Sequence, residues 1–212
     1  MSRHAVALLL VASCAAASAE PRVFYSKYFK GSTPEFVAIN IGRDGQVTYQ
    51  EAKDDDNPVK LQLPGADAAQ IFSLAEKLDE FKRPVESGLK VANMGLKTFR
   101  FEDSNEKHEI QFNYSQDADA QALLDWFDRI TETEQHFINL DRTVHYDKLG
   151  VNDVLLQLQI TWDHKRLVAP EQFLPLLDRI TKNESYLHMA RERAAGLAET
   201  FRKASATLGT TQ

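Results

Sequence analysis

The apolar pattern of this chain changes period along its length, and that change limits the fold more than any other feature. Between Arg22 and Tyr114 most apolar residues recur every second position, as in half-buried strands; from Asp117 onward they recur every three or four, as on helices. Strands followed by a run of helices point to an α+β arrangement rather than alternating βαβ units.

The period-two runs come in pairs. Val37, Ile39 and Ile41 share one face of a first run, and Val47 with Tyr49 does so after Gly42-Arg43-Asp44-Gly45, a turn that makes the two a hairpin. Arg22 to Phe29 reads as an added edge strand, and Asp54-Asp55-Asp56-Asn57-Pro58 as the end of this sheet segment. Asp67 with Gln70 resembles a capping box, and beyond it Ile71, Leu74, Ala75, Leu78 and Phe81 stand at the spacing of one buried helical face. A second pair comes next: Lys97, Phe99 and Phe101 alternate with Thr98 and Arg100, and past Asp103-Ser104-Asn105 so do Ile110, Phe112 and Tyr114 with Gln111 and Asn113. The expected fold is α+β, an antiparallel sheet of four or five strands in ββαββα order. Its helices lie on one face, and an all-helical C-terminal extension completes the chain.

The boundaries expected are 1–19 for a signal peptide, 20–130 for the sheet domain and 131–212 for the helical extension. In the helical half one helix starts near Asp119 and carries Leu123, Phe127, Ile130 and Phe137, and another starts near Asn152 or Asp153 with Leu155, Leu158 and Trp162. Pro170 suits a helix start, and Pro175 limits or kinks the helix beyond it. The last helix carries Leu187, Ala190, Ala194, Leu197 and Phe201, a short heptad-like stripe better suited to a bundle face than to a long coiled coil. Leu124 to Glu134 is echoed at Leu174 to Glu184, both holding Asp-Arg-Ile-Thr, a pattern that amphipathic helices rewrite readily. Residues 103–142 are acidic and the C-terminal part is mildly basic, so pairing of complementary helices within the chain is expected.

The first residues read as an address. Arg3 and His4 precede an apolar run, Ala5 to Ala12, and Ala17-Ser18-Ala19 forms a small-residue cleavage site. Cleavage after Ala19 would make the protein periplasmic or secreted. The run is shorter than the roughly 20 residues a membrane helix needs. Val11-Ala12-Ser13-Cys14 offers the alternative of a lipid anchor at Cys14. Removing residues 1–19 takes away one Arg and no acid, moving the formal charge from −6 to −7. An acidic chain is poorly suited to bind nucleic acid, and with its one Cys in the signal it has no disulfide and no Cys chemistry.

The remaining residue patterns exclude more chemistry than they suggest. The mature His residues (His108, His136, His145, His164, His188) form no pair at helical spacing, and Glu132 with His136, Asp141 with His145, and Glu184 with His188 read as surface ion pairs. Asp54 to Asn57 lacks the spacing of a calcium loop. There is no GxSxG elbow, P-loop or GxGxxG, and the Ser87–Lys90 and Ser104–Lys107 matches to SxxK lack their partner motifs. No cofactor and no metal is expected.

The long connection Phe81 to Gly95 is the least ordinary stretch. Its Lys82, Arg83, Lys90 and Asn93, with Lys97 and Arg100 on the strand beyond, make a local basic surface in an acidic chain, suited to an acidic protein or an anionic ligand. The plainer reading is a loop packed on the sheet edge by Leu89, Val91 and Met94. Gly31-Ser32-Thr33-Pro34-Glu35-Phe36, then Asp44-Gly45-Gln46-Val47-Thr48-Tyr49, a helix and a second strand pair, resembles uncharacterised domains of exported bacterial proteins with a DGxVxY hairpin. The likeness covers residues 22–130. Those domains show Gly-x-Cys-Pro-x-Tyr, where this chain has Ser32 and Thr33 and then Phe36. The resemblance implies no known activity. The function expected is a noncatalytic binding module. A carboxylate-based hydrolase is the second reading, and a homodimer through the last helix is the third.

Overall fold

The computed structural model describes residues 20–209; the proposed signal and Cys14 lie outside the described residues. The fold is α+β, with a six-stranded antiparallel sheet and five helices. The strands are β1 (Arg22–Tyr28), β2 (Phe36–Gly42), β3 (Gln46–Gln50), β4 (Val59–Gln62), β5 (Leu96–Glu102) and β6 (Lys107–Phe112), in spatial order β4-β3-β2-β1-β5-β6. The helices are α1 (Gly65–Lys77), α2 (Ala118–Tyr146), α3 (Val151–Asp163), α4 (Leu174–Lys182) and α5 (His188–Gly209).

The sheet therefore has six strands where four or five were expected, and element order differs accordingly. The extra strand is β4, which comes directly after the acidic run that was read as the end of the sheet segment. Its four residues, Val-Lys-Leu-Gln, are too few for a period to stand out. The strand read as an edge, β1, is central: Tyr25 pairs with Ile39 on one side and with Phe99 on the other. Which neighbours a strand finds is decided by long-range pairing, and the local pattern is silent on it.

One face of the sheet carries Val23, Tyr25, Val37, Ile39, Ile41, Val47, Tyr49, Phe99, Phe101 and Phe112, all buried. Against it lie Ile71, Phe72 and Ala75 of α1 and Leu123, Phe127 and Ile130 of α2. The centre is aromatic: Tyr25 and Phe127 stack with ring centroids 4.4 Å apart, and Phe99 meets Phe112 at 4.9 Å and Phe81 at 5.2 Å. Burying each such ring contributes about 1.5–3 kcal/mol.

Helix α1 starts behind Pro64 with no side-chain cap, so the Asp67–Gln70 box does not form; Asp67 sits within the first turn. Helix α2 is capped by Asp117, whose Oδ1 accepts from Asp119 N (2.9 Å) and Ala120 N (3.1 Å). It runs unbroken through residue 130, packing Phe127 and Ile130 in the sheet core and Leu140 and Val144 in a second core. That second core joins α2 to Leu155 and Leu158 of α3, Leu177 and Ile180 of α4, and Ala190, Ala194, Leu197 and Phe201 of α5. The stripe of the last helix thus faces inward, while Leu187 lies before the helix and is exposed. Pro175 opens α4 within its first turn rather than kinking it. The echoed segments form similar helix faces: Thr131 donates to Phe127 O and Thr181 to Leu177 O, both at 2.8 Å.

None of the ion pairs seen among the described residues joins the acidic stretch to the cations of α4 and α5, the pairing that was expected. Arg166, from the α3–α4 connection, binds Glu132 through two nitrogens at 2.9 Å and also meets Asp125, whereas Arg202 pairs with Asp178 and Lys203 with Glu199. Ion pairs are set by chain packing, which a run of like charges does not reveal.

Candidate functional site

The six residues of the expected basic surface are divided between ion pairs, the loop and the two faces of the sheet. Lys82 pairs with Glu106 (2.9 Å) and Glu80 (3.1 Å), and those carboxylates raise its pKa. Arg83 pairs with Asp117 at 2.8 Å and holds that carboxyl below its usual range. Lys90 is exposed, and the Asn93 side chain accepts from Gly95 N at 2.9 Å. Lys97 points to the helix side of the sheet and donates to three backbone carbonyls, Asn113 (2.7 Å), Met94 (3.1 Å) and Gly95 (3.3 Å); burial, with Lys27 beside it, lowers its pKa. Arg100, three positions further along the strand, lies on the opposite face.

The loop is anchored by polar bonds, not by the apolar residues expected to pack it. Leu89, Val91 and Met94 are 51%, 39% and 47% exposed. Asn113 is the anchor: its side chain accepts from Met94 N (2.7 Å) and donates to Ala92 O (3.0 Å), while its backbone N–H donates to Glu86 (2.6 Å). Ser87 N donates to Tyr114 O at 2.8 Å. The loop descends from a left-handed turn in which Asp79, Glu80 and Phe81 have φ of 55°, 50° and 65°, held in place by the burial of Phe81.

The sheet face turned away from the helices is open. Strand register sets one row of side chains across it, Lys60, Thr48, Asn40, Phe24, Arg100 and Glu109, one from each strand, spanning about 24 Å at sheet spacing. Next to this row stands Arg22. A hollow of about 540 Å³ is lined by Arg22, Asn40, Thr48, Lys60 and Gln62 among others. A smaller one of about 260 Å³ between Arg22, Phe24, Asn40, Arg100 and Glu102 adjoins it, because Arg22 and Asn40 line both. Together they make a shallow trough.

The cations Arg22, Lys60 and Arg100 and the hydrogen-bonding Asn40 and Thr48 line the trough together with the carboxylates of Glu20, Asp44, Glu102 and Asp103. Arg22, Asn40, Thr48 and Lys60 make no side-chain bond to other described residues, so their hydrogen-bonding capacity faces outward. The guanidinium of Arg100 lies 4.0 Å over the Phe24 ring; its buried Nε, 3.7 Å from Glu102, makes no hydrogen bond, and Glu109 lies 3.6 Å from Nη1. Asp44 is committed to its turn, accepting from Gln46 N at 2.9 Å. Along the row from Lys60 to Arg100 the charged side chains are cations, so an anion laid along it meets Lys60, Arg22 and Arg100.

Sequence reasoning missed Arg22, Phe24, Asn40, Thr48 and Lys60. Their signal was present as the polar alternates of the period-two runs, but only the pairing order puts them side by side. Among the described residues, no group of three or more His, Cys, Asp or Glu is placed to hold a metal ion. No helix among them is long and apolar enough to cross a membrane. The class defined by the fold is a two-layer α+β sheet unit continued by a helical bundle. No family model and no curated protein matches the sequence.

Proposed function

We propose that this chain is a noncatalytic binding module that takes an extended anionic ligand, an acidic peptide segment of a partner protein, along the open face of its sheet. The observation that carries this reading is the in-register row Lys60–Thr48–Asn40–Phe24–Arg100, with Arg22 beside it: Lys60, Thr48, Asn40 and Arg22 make no side-chain bond to other described residues, and Arg100 is held only by the long ion pairs to Glu102 and Glu109. Arg22, Lys60 and Arg100 supply charge at separated points, Asn40 and Thr48 supply hydrogen bonds between them, and the Phe24–Arg100 stack forms a ledge. Spaced cations favour an elongated ligand over a compact one. Export by cleavage after Ala19 belongs to the same proposal, which puts the partner in the cell envelope.

The test is fluorescence anisotropy with a labelled hexaglutamate peptide. Binding is expected to weaken as salt rises, to fall roughly tenfold or more in an Arg22→Glu/Lys60→Glu variant, and to persist in a Lys82→Glu/Arg83→Glu/Lys90→Glu variant. Equal binding by wild type and the Arg22/Lys60 variant, or no binding by either, overturns the reading.

A further inference from the structure

On the helix side of the sheet, where β1 ends and β5 begins, a second cleft of about 300 Å³ opens under α2. Lys27 and Lys97 stand directly opposite each other on the two strands, both turned toward the helix. Adjacent cations on a core-facing surface are unfavourable unless something answers their charge. Lys97 is answered: its ammonium donates hydrogen bonds to three backbone carbonyls. Asp125 across the cleft is likewise answered, by Arg166.

Lys27 and Asp128 have no such direct partner. Both line the cleft, and neither makes a hydrogen bond or an ion pair with any described residue; burial raises the Asp128 pKa, and only the more distant charges of Lys27 and Arg166 oppose that shift. An unspent ammonium and an unspent carboxylate therefore look into the same small space, beside an apolar wall formed by Leu124 and Met94. We infer that this cleft is a binding site for a zwitterion, an α-amino acid with an apolar side chain, whose carboxylate meets Lys27, whose ammonium meets Asp128, and whose side chain lies on Leu124 and Met94. A compact ligand carrying both charges satisfies both groups at once; one carrying a single charge leaves the other group unmet. The volume is at the lower end of ligand-sized pockets, which suits a single amino acid.

This cleft is separate from the open sheet face, and other residues test it. Amide chemical shifts are recorded while L-leucine, N-acetyl-L-leucine or L-leucinamide is added to roughly 1 mM and above. Leucine is expected to shift signals at Lys27, Asp128 and Asn113, and each analogue, lacking one charge, to bind roughly tenfold or more weakly. Lys27→Met and Asp128→Asn should each lose leucine binding while keeping the dispersed spectrum of the folded chain. The Arg22→Glu/Lys60→Glu variant should bind leucine as wild type does. No shift with leucine, equal binding of leucine and its analogues, or undiminished binding by Asp128→Asn overturns the inference.

Discussion

Replacing Glu134 with Gln should make this protein more stable at neutral and alkaline pH and change little in acid. Glu134 sits on α2 facing the short turn Pro170–Phe173 and is wholly buried. Gln172 Nε2 donates to its Oε1 at 2.9 Å, but Oε2 is buried with no partner. Burial pushes its pKa up to about 7 from a reference of 4.5, with the Gln172 bond opposing the shift. An acid whose pKa is raised on folding keeps its proton in the native state while the unfolded chain releases it. Stability is therefore undiminished below about pH 4.5, falls as pH rises toward 7, and stays reduced above it. A shift from 4.5 to about 7 corresponds to about 3 kcal/mol at pH 8 and under about 1 kcal/mol at pH 5. Gln keeps an acceptor for Gln172 and carries no charge. Thermal unfolding at pH 8 should accordingly show Glu134→Gln melting about 6–12 °C above wild type, with most of that gap closed at pH 5. A difference independent of pH, or a less stable variant at pH 8, would refute the assignment of a charge buried at cost.

Two further predictions concern the loop and its origin. Asn113→Ala removes both side-chain bonds holding Ala92 and Met94; amide exchange at Met94 should quicken roughly 5- to 30-fold while the sheet-core amides keep their protection, and unchanged exchange there would show that Asn113 is not the anchor. Asp79→Gly puts the residue most tolerant of positive φ at an exposed position with φ of 55°; urea unfolding should show a gain of about 1 kcal/mol, and a loss would mean that the left-handed turn is not strained.

The legible part of the fold was its local part. Val37, Ile39 and Ile41 announce an inward strand face, and Leu123, Phe127 and Ile130 a helix face, because burial repeats with the geometry of each element. The candidate site was much less legible. Lys82 and Arg83 read as free cations until Glu106 and Asp117, remote in sequence, were placed beside them. Arg100 was singled out for its charge alone, and its place beside Phe24 is a consequence of the pairing of β1 with β5.

By itself the sequence determined the α+β class, the inward and outward faces of most strands, the helical second half and the acidic, thiol-poor character of the chain. Each of these depends on residues a few positions apart or on composition. The tertiary structure decided that β1 is central, that β4 extends the sheet, that a row of polar side chains crosses the open face, that Lys27 and Asp128 share a cleft, and that Glu134 is buried. These depend on which distant segments meet and on how much water is left between them, and a charge or a hydrogen-bond donor acquires its role only when those neighbours are set.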